Sequence, residues 1–103
     1  MEHNEFVLDA QNPESLQRLR NLLEGKVFTI RVDDYPPREN QRVGRLVSPS
    51  NRGPQSVEIS TIERLPTYHW HYSGDTVVLR EGGRIEVRHY ADNEIYCTYT
   101  PLA

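Results

Sequence analysis

The residues best equipped for chemistry lie in one stretch, Thr67-Tyr68-His69-Trp70-His71-Tyr72-Ser73-Gly74-Asp75. Along an extended chain, side chains two apart point the same way, so His69 and His71 would stand together as neutral imidazoles. With Asp75 as an oxygen donor they could hold Zn²⁺, Fe²⁺ or Mn²⁺. Such a centre needs few protein residues to polarise a substrate or activate water. The competing account is that the stretch simply alternates His/His with Trp/Tyr, the aromatics packing or binding while the histidines face solvent.

The spacing resembles the first motif of the cupin family: His-x-His, three residues, an acidic residue, six residues, Gly. Here His69, His71, Asp75 and Gly82 occupy those places, with Asp where the family has Glu. The resemblance implies that the first three are metal ligands. It covers about fourteen residues, and the 21 residues after Gly82 lack the family's second motif. His89 could lie opposite Asp75 by strand pairing and act as a fourth ligand, on pairing grounds alone. Short motifs often match by chance, so no metal and no cofactor are assigned.

Other catalytic signatures are missing. There is no G-x-S-x-G elbow, Walker A loop, G-x-G-x-x-G or H-E-x-x-H. Cys97 could be a nucleophile beside His89, but a lone Cys between Ile95 and Tyr99 reads as a small buried hydrophobe. One cysteine forbids an internal disulfide and suits a reducing compartment. The expectation is therefore a protein that is not an enzyme.

Charge is informative once divided. The chain is -3 overall, but residues 1–35 and 55–103 are each at -3, while residues 36–54 are at +3. That middle segment carries Arg38, Arg42, Arg45 and Arg52, with Tyr35 beside it, a set that could contact phosphates and stack a base. A helix followed by bent strands also resembles small RNA-binding barrels of the Sm type in outline. The acidic flanks oppose a nucleic-acid partner, which stands as the alternative.

The aromatics suggest a protein partner instead. Tyr35, Tyr68, Trp70, Tyr72, Tyr90, Tyr96 and Tyr99 are more aromatic tips than a lean core absorbs, and Tyr, Trp and Arg dominate interface hot spots. The expected surface joins Tyr68, Trp70 and Tyr72 to Tyr35, Arg38, Arg42 and Arg45. On this reading, Trp70→Ala would abolish partner binding and leave stability nearly unchanged.

The elements that must position these residues follow from spacing. Glu5–Asp9 reads as a short strand. Asn12 suits an N-cap and Pro13 a first helical position. Leu16, Leu19, Leu22 and Leu23 then form one apolar stripe, and Gly25 supplies a left-handed stop, giving a helix over 13–24. Phe28, Ile30 and Val32 alternate on a strand. Gln41–Val47 is another, with a bulge or bend at Gly44, and Val57–Ile62 follows. Asp75–Arg80 and Arg84–Tyr90 flank Glu81-Gly82-Gly83 as a hairpin. Pairing Leu79 with Ile85 and Val77 with Val87 places four apolar residues on one face, whereas a one-residue slip opposes Leu79 to Glu86. A turn at Ala91-Asp92-Asn93 returns the chain through Ile95, Cys97 and Tyr99, and Pro101 ends the strand.

The 103 residues fit one compact domain, with flexible basic loops at 35–41 and 48–55 inside a β-rich 27–100. Only 36% are hydrophobic, and no apolar run reaches the ~18 residues of a membrane-spanning helix. The N-terminus shows no secretory pattern, so a cytoplasmic home is expected. The architecture expected is α+β: one N-terminal helix packed on a five- to six-stranded, mainly antiparallel, curved sheet or small partial β-barrel. Its role would be that of a small non-catalytic protein recognising another macromolecule, a protein first: a regulator, inhibitor, immunity-type protein or accessory subunit. Nothing in the chain points to a membrane partner or to a particular oligomeric state.

Overall fold

The computed structural model describes residues 4–32, 42–71 and 73–102. Tyr35, Arg38, Tyr72 and the loop 35–41 lie outside the described residues, whereas Arg42, Arg45, Tyr68 and Trp70 of the expected binding set lie within them. The chain is α+β. Its strands are β1 (Glu5–Val7), β2 (Phe28–Val32), β3 (Arg42–Val47), β4 (Val57–Thr61), β5 (Tyr68–His71), β6 (Thr76–Leu79), β7 (Ile85–Arg88) and β8 (Ile95–Pro101), with helix α1 (Pro13–Leu23) between β1 and β2. All pairings are antiparallel, in the order β1-β6-β7-β8-β2-β3-β4-β5.

Eight strands exceed the expected five or six. The main addition is β5, the aromatic–histidine stretch, which has only four residues between two irregular segments and reads from sequence as a connection. The sheet is open, since β1 and β5 are its ends, but it is strongly curled. Unrolled, β5 and β6 would stand six strand spacings apart, roughly 29 Å. The chain from His71 to Thr76 can span at most ~18 Å. The link therefore draws the two ends of the sheet toward each other, and Asp75 O accepts from Leu8 N beside β1.

Curling creates an interior. Phe28, Ile30 and Val32 of β2, Val57 and Ile59 of β4, Val77, Ile85, Val87, Cys97 and Tyr99 form one buried cluster with Leu16, Leu19 and Leu23 of α1. Each fully buried leucine contributes roughly 1.5–3 kcal/mol, so the helix, too short to stand alone, is held by its leucine face. Glu24 has already left helical geometry, and Gly25 takes the left-handed φ of +73°. The expected Asn12 cap is not made through its side chain. Ser15 instead ties the turn, its hydroxyl accepting from Asp9 N at 2.9 Å and lying 2.8 Å from Asn12 O.

The hairpin register is the one the apolar faces require: Leu79 pairs with Ile85 and Val77 with Val87. Gly44 makes no bulge, because β3 pairs regularly on both sides. A Cβ there would lie 2.8 Å from Ser60 O and collide with the end of Ile30. The glycine leaves room for a core side chain rather than bending the strand.

Candidate functional site

Strand β5 divides its side chains cleanly. His69 and His71 pair across the ladder with Ile59 and Val57 and so share the inner face; Tyr68 and Trp70 pair with Ser60 and Glu58 and share the outer one. The histidines therefore do not face solvent. His71 is only 1% exposed, and its polar partners come from β8, across the curled sheet. Its Nδ1 lies 2.8 Å from the Tyr96 hydroxyl, and its Nε2 bonds the Tyr99 hydroxyl. The Tyr96 hydroxyl in turn donates to Asp75 Oδ2 at 2.6 Å.

Proton bookkeeping orders this chain. Because Tyr96 spends its hydrogen on Asp75, its oxygen accepts from His71, which assigns the His71 proton to Nδ1. A neutral ring then accepts at Nε2 from Tyr99. Each group is satisfied, as burial demands.

Tyr96 reaches this interior through a bulge. Arg88 pairs with Ile95 and Val87 with Cys97, so Tyr96 is an extra residue on β8 with no partner opposite. Bulges re-aim side chains, and this one delivers a phenol beside His71.

Electrostatics follow from the geometry. Burial of Asp75 pushes its pKa upward, but the His71 ring, the Tyr96 hydroxyl and the Tyr90 N–H outweigh that and hold it below the usual carboxylate value. Burial, reinforced by the hydrogen bond to Asp75 and its charge, raises the Tyr96 phenol well above its ordinary value. His69 is lowered by burial first, then by His71 and Arg42.

This arrangement redirects the candidate metal ligands. Both ring nitrogens of His71 are occupied by tyrosines. His89 accepts from Ala91 N at 3.1 Å through Nδ1 and stacks on Tyr90 at 4.6 Å. Among the described residues no three His, Cys, Asp or Glu side chains form a group that could hold a metal. Cys97 is buried at 2% exposure, paired with Val87 and Val32, where a substrate has no approach.

The outer face of β5 is different. Tyr68 stacks on Trp70 with ring centroids 6.2 Å apart, and the Arg52 guanidinium lies 4.3 Å over the Trp70 ring. Tyr68 is 42% exposed, whereas Trp70 is half-buried. Its indole N–H is buried without a hydrogen-bond partner among the described residues.

Arg52 is brought there by a fastened loop. Glu58, on the outer face of β4 yet 1% exposed, accepts from Asn51 N at 2.6 Å and from the Ser50 hydroxyl at 3.3 Å. From the helix, Arg20 donates to Ser56 O at 2.9 Å and to Pro54 O. The segment 48–55 is thus tied at one end to β4 and at the other to the helix.

The expected arginine set is divided. Arg45 is exposed on the outer face of β3, in line with Ser60 and Tyr68. Arg42 sits three residues away and hence on the inner side, bonding the Thr67 hydroxyl at 2.9 Å with Glu63 at 3.6 Å. Arg42 and Arg45 thus lie on opposite faces of β3, and the arginine that meets Trp70 is Arg52. Sequence reasoning also missed Glu58 and the Tyr96–Tyr99 pair; strand parity alone could have separated Arg42 from Arg45.

Comparison with models of known protein families, with curated proteins and with solved structures returned no match.

Proposed function

We propose that this chain is a non-catalytic binding protein that recognises another protein through the outer face of β5 and its neighbours. The observation that carries the reading is the Tyr68–Trp70–Arg52 stack, held on a strand at the sheet's end by an anchored loop. Preordering of this kind lowers the entropy lost on association, and Tyr, Trp and Arg are the side chains that dominate interface hot spots. Exposed Arg45 adds a charged rim two strands away.

The reactive groups, by contrast, are consumed internally. His71, Asp75, Tyr96 and Tyr99 satisfy one another, which favours a structural role for the histidine. Separation of Arg42 from Arg45 breaks up the basic run that would have tracked a phosphate backbone, so a protein partner is preferred to nucleic acid.

The test is comparative capture. Immobilised wild-type chain and a Tyr68→Ala/Arg45→Glu variant, matched in thermal stability, are exposed to lysate of the source cells. A protein retained by the wild type and lost with the variant is expected. Equal retention by both, or recovery of nucleic acid alone, overturns the reading.

A further inference from the structure

The outer face of the sheet carries a second gathering of arginine, away from β5. A cavity of about 280 Å³ opens over β7, β8 and β2, lined by Thr29, Arg31, Arg84, Glu86, Thr98 and Thr100. Arg31 faces Thr98 and Thr29 faces Thr100 across the β2–β8 pairing, while Thr98 faces Glu86 across β7–β8. The floor is therefore a patch of threonines with guanidinium groups at its margin.

The one carboxylate in the lining is already engaged. Glu86 meets Arg80 Nε at 2.6 Å through one oxygen and Arg84 Nη2 at 3.6 Å through the other. Arg31 is exposed and has no hydrogen bond or ion pair among the described residues, and the same is true of the Thr98 and Thr100 hydroxyls. Two lining guanidinium groups, Arg31 and Arg84, against one carboxylate leave the pocket net positive by one, in a chain whose net charge is -3.

We propose that this pocket binds a single oxyanion group, a carboxylate or a phosphate. Arg31 supplies the principal fork, Arg84, restrained by Glu86, supplies a second donor, and Thr98 and Thr100 contribute hydroxyls. Arginine presents paired N–H donors in a geometry that matches both groups. The site does not depend on the β5 surface and stands or falls separately from it.

The experiment is an amide-resolved NMR titration of the full chain with inorganic phosphate, sulfate and acetate, each at ionic strength held constant with chloride. Saturable shifts at Thr29, Thr98 and Thr100 are expected. Arg31→Gln, exposed and tolerated by the fold, should weaken binding roughly tenfold or more, the effect of one charge-assisted hydrogen bond. Arg64→Gln, exposed and outside the pocket, should bind like the wild type. Stronger binding of phosphate points to a phosphorylated ligand, and stronger binding of acetate together with a Glu-rich peptide points to a carboxylate. Shifts that follow chloride equally well, or an Arg31→Gln variant that binds undiminished, overturn the proposal.

Discussion

The inner and outer faces of β5 use neighbouring residues in opposite ways. Inside, His71 closes a chain of hydrogen bonds with Tyr99, Tyr96 and Asp75 that joins the sheet's end strand to β8, four strands away in sheet order. Outside, Tyr68 stacks on Trp70, which lies under the Arg52 guanidinium, and Tyr68 keeps surface available. Polar groups that are buried must be matched in full, so the inner set is intolerant of change. Aromatic surface supported from below can lose a ring with little cost to the fold. The contrast teaches that the more reactive side chains are spent on architecture here, while the less reactive ones are left for the proposed recognition.

The sharpest way to break this contrast is to remove the inner ring. His71→Ala leaves a cavity and removes the hydrogen bonds to the Tyr96 and Tyr99 hydroxyls, and should cost about 3 kcal/mol in urea unfolding. A loss under about 1 kcal/mol would place His71 outside the architecture and reopen a chemical role for it.

Glu58→Ala comes next, because Asn51 N–H loses its acceptor beneath the loop. About 1–3 kcal/mol is expected, with faster amide hydrogen exchange confined to residues 50–56. Unchanged exchange there would show that the loop is held by Arg20 alone.

Acid should act on the inner face in two stages. His69 has a depressed pKa in the folded state, so the stability it contributes is complete above the ordinary histidine value and falls as pH drops below it. Asp75, also depressed, adds a second loss as pH falls through the acidic carboxylate range. Urea midpoints measured from neutral to acid pH should decline in both windows. In Tyr96→Phe, which lacks the hydrogen bond to Asp75, the second loss should be smaller and complete at higher pH, and an NMR titration of Asp75 would detect its raised pKa.

The smallest effects on stability belong to the outer face. Trp70 is half-buried beneath Arg52, so Trp70→Ala should cost about 1 kcal/mol through lost packing and the cation–π contact. That figure differs from the expectation of nearly unchanged stability and makes Tyr68 the better probe. Tyr68→Ala should stay within about 0.5 kcal/mol of the wild type while weakening capture of the partner. A Tyr68 variant as unstable as His71→Ala would erase the distinction between the faces.

Legibility in the sequence tracked how locally each feature is determined. The leucine stripe of α1 was readable because it repeats within two turns, and the β6–β7 register because only one pairing puts Leu79, Ile85, Val77 and Val87 together. The orientation of His71 was readable only in relative terms: it shares a face with His69, but nothing nearby says which face is interior. Tyr96 was further out of reach. Its inward turn depends on a bulge between Val87 and Arg88, and simple alternation would put it outside. Glu58 was hidden because a charged residue inside an alternating strand reads as solvated, whereas here a loop folds over it.

By itself the sequence determined an α+β chain with one short helix, antiparallel hairpins and a histidine–aromatic alternation at residues 68–71. Helical period, strand parity and turn chemistry act over a few residues, so they survive translation from sequence to structure. Only the tertiary structure decided that the sheet curls far enough to bring His71 against Tyr96 and Tyr99. It also separated Arg42 from Arg45 in use and recruited Arg52 to Trp70. Those outcomes depend on contacts between strands distant in the sheet, which accumulate from the twist and curl of the whole and are written in no single segment.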